Sequence, residues 1–298
     1  MLRFSDMKIW KYTYSVLILT LSGIFLAIVQ SPDKNLHIIA CNVGQGDAIL
    51  VTYGGTQILT DGGPDKSVLT CLGRYMPFWD REIELVISTH PDSDHSTGLI
   101  DVLQNYDVGE MVINPIDPGT QIYKALEKEV GGRGIPIINP STGMELGIGL
   151  IHLDILSPNE ALLGKLAVKD GESRLAKYSV LNETNLYSVV YRLRFKNFSG
   201  LFPGDVPPQI SDKLAANWSV GTVDYIKVPH HGSINGLTEN LLKAAMPKIA
   251  VISLGKNPWG FPRPEILAML SKYNVKVLRT DQMGDIEVIT DGEKYWLR

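Results

Sequence analysis

The chain has 298 residues, a formal net charge of −4, 44% hydrophobic and 20% charged residues, and two cysteines. That length allows one large or two small domains with ample core. The acidic balance excludes a broad basic surface for nucleic acid, though not a local groove, and two cysteines cannot build a zinc cluster alone. Tyr12 to Val29 carries no charge, with Lys8 and Lys11 before it and Asp33 and Lys34 after it. This is close to the ~20 residues that span a bilayer. A cleaved signal has a shorter apolar region, about 7–15 residues, and an Ala-x-Ala-like site. Ala27-Ile28-Val29 is a poor one, which favours an uncleaved anchor. Arg3, Lys8 and Lys11 before the span hold the amino terminus in the cytoplasm and put the rest of the chain outside.

Residues 1–35 therefore read as tail, anchor (12–29) and polar linker (Ser31 to Asn35), and residues 36–298 as one catalytic domain. Strand-like runs follow at Leu36–Cys41, Ala48–Thr52 and Gln57–Thr60, with Tyr53-Gly54-Gly55-Thr56 as a hairpin turn. Strands Ile83–Thr89, Met111–Ile113, Ile135–Ile138 and Ile151–Leu156 alternate with helical stretches such as Gln121–Val130. Val189–Phe195 and Gly200–Phe202 read as a hairpin. Val223–Val228, Ile249–Ile252, Val275–Leu278 and Ile286–Ile289 complete the strands, with helices at Pro207–Asn217, Leu237–Ala245 and Pro264–Lys272. Pro158–Thr184 reads as a surface excursion beside the pocket. Cys41 and Cys71 can pair or stay free, and free thiols are preferred because Cys41 sits in a strand expected to be buried.

His90-Pro91-Asp92-Ser93-Asp94-His95 places four metal-ligand side chains within six residues. The segment lies where a strand turns into a helix opened by Ser96. Imidazole and carboxylate together suit zinc, or manganese and iron where oxygen dominates. Helix capping explains one Asp but not two His and two Asp in alternation.

His-x-Asp-x-Asp-His after an apolar strand resembles the metal motif of the metallo-β-lactamase superfamily, in the variant with Asp where most members have a second His. Asn42-Val43-Gly44-Gln45-Gly46-Asp47, Asp61-Gly62-Gly63, Asn185-Leu186-Tyr187-Ser188, Phe202-Pro203-Gly204-Asp205 and Val228-Pro229-His230-His231-Gly232-Ser233 follow in order. This set resembles the C-terminal metallo-hydrolase domain of the ComEC competence proteins, from about residue 36 onward. There are three departures: Asn42 stands for an Asp, Ser96-Thr97-Gly98 for a Gly-Gly, and Gly260-Phe261-Pro262 for a Gly-His-Pro. The last bears on the substrate pocket. The resemblance implies an α+β fold, the four-layer αββα sandwich of two mixed sheets flanked by helices, behind one transmembrane helix.

It also implies two divalent ions, zinc or manganese. His90, Asp92 and Asp205 would hold one, and Asp94, His95, Asp205 and His231 the other, with Asp205 bridging. Adjacent strand residues point to opposite faces, so His230 and His231 should have different roles. The superfamily's Pro-x-His-Gly puts the ligand on His231 and leaves His230 as a proton donor. His152 is the sole histidine between the first cluster and Asp205, and its strand resembles a structural one. Asn185 and Ser188 fall where substrate or water is oriented, Asp94 is counted in the catalytic set, and Asp47 and Asp61 should fix loops or ligand imidazoles. Lys227, Lys256 and Arg263 are candidates to meet an anionic substrate. No glycine loop is of the nucleotide-cradling kind, so no nucleotide cofactor is expected.

The leading expectation is hydrolysis by a hydroxide shared between two metals, acting on a phosphodiester, with DNA one candidate. Alternatives are an envelope phosphocholine or phosphoester esterase, a lactonase-type hydrolase, and a metal-stabilised binding module without turnover.

Overall fold

Apolar runs such as Ile249–Ile252 are continuous, not alternating, because both faces of their strands are covered. Ile249 and Val251 face a core between two sheets, while Ala250 and Ile252 face helices on the outside. The computed structural model describes residues 4–29, 31–168, 173, 175–217 and 220–298. Its eight-stranded sheet runs, in spatial order, Tyr295–Leu297, Ile286–Thr290, Leu36–Ala40, Ile49–Tyr53, Thr56–Thr60, Glu82–Ser88, Asp107–Ile113 and Ile137–Ile138. The seven-stranded sheet runs Lys276–Arg279, Ile249–Ile252, Tyr225–Lys227, Phe198–Phe202, Val190–Phe195, Ile151–Ser157 and Glu145–Ile148. Both are mixed. Thr56–Thr60, Glu82–Ser88 and Asp107–Ile113 are parallel, as are Phe198–Phe202, Tyr225–Lys227, Ile249–Ile252 and Lys276–Arg279.

Ile38, Val51, Ile58, Leu85 and Ile87 of the first sheet meet Leu153, Tyr191, Leu193, Phe202 and Val251 of the second. Each such side chain, fully buried, contributes on the order of 1.5–3 kcal/mol. Helices Ser67–Tyr75, Ser93–Asn105 and Gln121–Arg133 pack on the outer face of the first sheet. Pro208–Ala216, Glu239–Ala245 and Pro264–Lys272 cover the outer face of the second. The result is the αββα sandwich.

The predicted hairpin turns on Gly54-Gly55, with Tyr53 opposite Thr56 and Gly54 at φ +58°, a left-handed position that favours glycine. The sequence reading lacked helix Ser67–Tyr75 and strands Glu145–Ile148 and Tyr295–Leu297. The excursion after Pro158 carries a short helix, Glu160–Leu163, and two short strands, Ala167–Val168 and Tyr178–Ser179. These strands form a small sheet with Ile116–Asp117; residues 169–172 and 174 lie outside the described residues.

The preference for free thiols is corrected: Cys41 and Cys71 form a disulfide, Cα atoms 5.8 Å apart. Burial of Cys41 is what allows it. Its side chain faces the outer helical layer, where Cys71 of helix Ser67–Tyr75 packs in the same cluster.

Before the sandwich, Phe4–Val29 is a single helix whose stretch Ile9–Ala27, 19 residues, is apolar and long enough to cross a membrane and is unburied throughout. Arg3 and the side chain of Lys8, on which the orientation rests, lie outside the described residues.

Candidate metal centre

The parallel strands of both sheets end at one edge, and their carboxyl ends carry the motifs, the usual place for a site in such sheets. Asp61 follows Thr56–Thr60, His90 follows Glu82–Ser88, Asp205 follows Phe198–Phe202, and His231 follows Tyr225–Lys227. Asp92 is the N-cap of helix Ser93–Asn105, so Asp94 and His95 occupy its first turn.

His90, His95, Asp205 and His231 are buried. His95 Nε2 lies 3.4 Å from Asp205 Oδ2, and His231 Nε2 lies 3.3 Å from both Asp205 Oδ2 and Asp94 Oδ2. Ligand atoms of His90, His95 and Asp205 lie within 4.8 Å of one another, as do those of Asp94, His95 and His231. Five of the six predicted ligands are thus gathered. Asp92 stands at the rim, its side chain 38% exposed, with Oδ2 3.7 Å from His90 Nε2 and Oδ1 accepting from the Thr184 hydroxyl. His152 is exposed and belongs to no such group.

The other ring nitrogens are all engaged. Asp61 Oδ1 accepts from the Thr89 N–H at 2.8 Å and Oδ2 from the Thr89 hydroxyl at 2.7 Å. That hydroxyl has given its proton to a carboxylate, so at 2.9 Å it accepts from His90 Nδ1. His95 Nδ1 donates to Asp61 Oδ2 at 2.9 Å, and His231 Nδ1 to the Ser253 carbonyl at 2.8 Å. Every Nδ1 therefore carries a proton, and the neutral form of each imidazole is the tautomer that turns a bare Nε2 to the centre. These three Nε2 atoms are buried without a hydrogen-bond partner.

His230 and His231 are not on a strand, as the alternation argument supposed. They lie in a turn, Pro229–Gly232, both left-handed at φ +52° and +53°. This uncommon geometry tends to occur where function fixes the backbone. It points His231 into the cluster, aims the His230 N–H at Asp205 Oδ1 (3.2 Å), and sets the two rings at 88°. The His230 ring instead meets Phe261 edge-on, and its Nδ1 is buried without a partner. Ser188 packs against Gly204 beside Asp205, and Ser188 Oγ and Asn185 Oδ1 are likewise buried and unpartnered.

Charge follows this geometry. Burial opposes it, but His231 and His95 hold Asp205 ionised well below the usual carboxylate range. Burial also works against Asp94, yet His231 and His95 bring it down to about 2. Burial disfavours protonated His231, but Asp205 and Asp47 outweigh it and raise the imidazole to about 9. His90 moves down, through burial and the neighbouring His95.

Asp47 approaches His231 Nδ1 at 3.4 Å with Oδ1, while Lys227 Nζ meets its Oδ2 at 2.5 Å. Lys227 is thus a buried partner of Asp47 and not an exposed cation awaiting substrate, which corrects that expectation. Gly46 makes the approach of the Asp47 loop feasible, since a Cβ there would lie 2.1 Å from the Asp94 carbonyl. The Ser253 carbonyl and the Thr184 hydroxyl went unrecognised in the sequence; backbone acceptors and single hydroxyls leave no signal there.

This layered sandwich, with its His–Asp cluster at the strand ends, is the metallo-β-lactamase fold. It is shared with the metallo-β-lactamase fold protein YhfI from Bacillus subtilis (TM-score 0.56, 13% identity, 86% of this chain and all of that one). CmlA, a diiron β-hydroxylase from Streptomyces venezuelae, has it too (TM-score 0.53, 14% identity, 87% of this chain and 54% of that one). In sequence the chain is similar to Recombination protein 2 of Haemophilus influenzae, 24% identical over 293 residues, and to ComE operon protein 3 of Bacillus subtilis, 26% identical over 271. These alignments take in 97% and 83% of this chain but only 33% and 32% of those proteins, so the chain spans about a third of its curated relatives' length. No family model matches.

Proposed function

We propose that the chain is a membrane-anchored hydrolase dependent on two divalent cations, with a phosphodiester as its substrate. One observation carries this reading: three buried imidazole Nε2 atoms, each ring oriented by the bond its Nδ1 makes, converge unpartnered on the Asp205 carboxylate. Buried polar atoms left unsatisfied in this way call for an explanation, and a cation supplies it. Imidazole nitrogens fit zinc, and the oxygen share from Asp205, Asp94 and Asp92 also fits manganese. Such ions supply Lewis acidity and acidify a coordinated water.

The chain's own residues do the rest. Asp61, Thr89 and the Ser253 carbonyl fix the three rings, and Asp205 would serve both ions. Asp94 and Asp92, about a third exposed, line the open side where substrate enters. His230 is the proposed proton donor to the leaving group, and Asn185 and Ser188 orient the substrate. The name of one relative, a recombination protein, supports a nucleic-acid phosphodiester. The Cys41–Cys71 disulfide supports an extracytoplasmic domain, because such bonds persist in oxidising compartments.

The test is metal analysis of the full-length protein in detergent, followed by assays with bis-p-nitrophenyl phosphate, single-stranded DNA and a lactone. Two ions per chain and metal-dependent cleavage of the phosphodiesters are expected. Turnover of the lactone alone would replace this reading with the lactonase one.

A further inference from the structure

We infer that the Phe78–Trp79 turn is a second membrane contact, inserting its aromatic pair into the lipid interface beside the point where the chain leaves the bilayer. The inference rests on the proposed membrane span. Pro77-Phe78-Trp79-Asp80 is a tight turn closed by the Asp80 N–H on the Pro77 carbonyl at 2.9 Å. At its tip Phe78 is 56% and Trp79 46% exposed, with ring centres 4.8 Å apart and edge to face. Two adjacent large aromatics held out in water are unusual unless something covers them.

The turn is rigidly mounted. The Gln57 amide donates to Asp80 Oδ2 at 2.9 Å, and Met76, just before the turn, is buried. Its position names the occupant. A cavity of about 390 Å³ is walled on one side by Ser31, Pro32 and Asp33, the first residues after the apolar helix, and on the other by Gln57, Met76 and Pro77. The aromatic tip thus springs from the lining of the same cavity that receives the chain from the span. The linker Ser31–Asn35 reaches roughly 17 Å at most when fully extended, so this face stays next to the headgroups. Trp is enriched at that depth, where its ring is half solvated.

The charges around the cavity are balanced. Arg74 pairs with Asp285, Arg298 approaches Glu287 at 3.9 Å, and His37 lies between Asp33 and Glu287. Contact should therefore depend on aromatic insertion and not on anionic lipid.

The experiment uses full-length protein reconstituted in phosphatidylcholine vesicles, with a fluorophore on L19C or W79C and quenching by nitroxide lipids. The label at 19 should be quenched by mid-chain nitroxide and the label at 79 by headgroup-level nitroxide, the latter unchanged in 1 M salt. Bromolipid quenching of the native indole, read as the difference between the unaltered chain and W79F, repeats the measurement with the turn's shape kept. Quenching at 19 without any at 79 overturns the inference while leaving the span intact. A signal at 79 that needs anionic lipid and vanishes in salt overturns it too. Absence of quenching at both positions removes the span, and this contact with it.

Discussion

Lys227 and Asp47 form an ion pair in the interior, Nζ to Oδ2 2.5 Å, with both side chains at most 3% exposed. The lysine also donates to the Val228 carbonyl at 3.0 Å, so the pair ties the strand entering the His230–His231 turn to the Asp47 loop. Burial penalises the Asp47 charge, and the ammonium, aided by His231, restores it. The Asp47 loop is thereby held against the backs of the His231 and Asp94 residues.

Removing one partner strands the other charge. Lys227→Met should cost about 3–5 kcal/mol of stability, and Lys227→Met with Asp47→Leu should regain most of it, because a buried pair is replaced at little loss while a broken one is not. Chemical denaturation of the three proteins measures this; a single variant as stable as the unaltered chain would contradict the assignment.

Asp205 Oδ2 lies 3.4 Å from His95 Nε2 and 3.3 Å from His231 Nε2, and in the proposed centre it would bridge the two ions. Asp205→Ala should therefore release both ions together instead of leaving one behind. Elemental analysis after dialysis reports the stoichiometry, and two tightly held ions in the variant would sink the bridging role.

Asp61 serves His95 directly and His90 through Thr89. Asp61→Asn should lower metal affinity roughly 10–100-fold, the range for a group that orients ligands without touching the metal. Competition with a chromophoric chelator reads this out.

His230 and His231 should separate by assay. His231→Ala should lose metal and rate together. His230→Ala should keep its metal and lose about 10²–10⁴ in turnover if the ring is a general acid. That loss should shrink on p-nitrophenyl esters, whose leaving group needs little protonation. Equal, mild effects in both variants would remove the distinction.

His37 gives a pH signature away from the metal centre. Burial disfavours its charge, but hydrogen bonds to Glu287 and Asp33 overcome this and raise its pKa above the ordinary 6.5. A raised histidine contributes stability in full below 6.5, and that contribution fades as pH climbs through the folded-state value. The melting temperature should fall over that window in the unaltered chain and vary less in His37→Gln.

His90 to His95 was legible in the sequence because one short segment supplies four polar side chains between an apolar strand and an amphipathic helix. Asp205 was legible only through its neighbouring motifs, as Gly-Asp turns are common. Lys227 was misread because a charge inside a strand looks the same on paper whether it meets water or a buried carboxylate. The turn at Pro229 hid its geometry, since two successive left-handed histidines follow no propensity. Glu145–Ile148 pairs locally with Ile151–Ser157, Ile148 opposite Ile151, but it is short, carries a glycine and buries no residue fully, so it leaves no apolar run to read.

Leu36–Ala40, the first strand after the linker, is flanked on one side by Ile286–Thr290. Its sheet is complete only once residues almost 250 positions downstream have arrived. The centre itself gathers side chains from positions 90, 205 and 231, so no early fragment can offer a cation a full coordination shell. In the proposed metalloprotein, metal loading would then be among the last events of maturation. On the proposed reading the ion would be drawn from the pool on the side of the membrane where folding finishes, so that compartment's supply, as much as the ligands, would decide its identity.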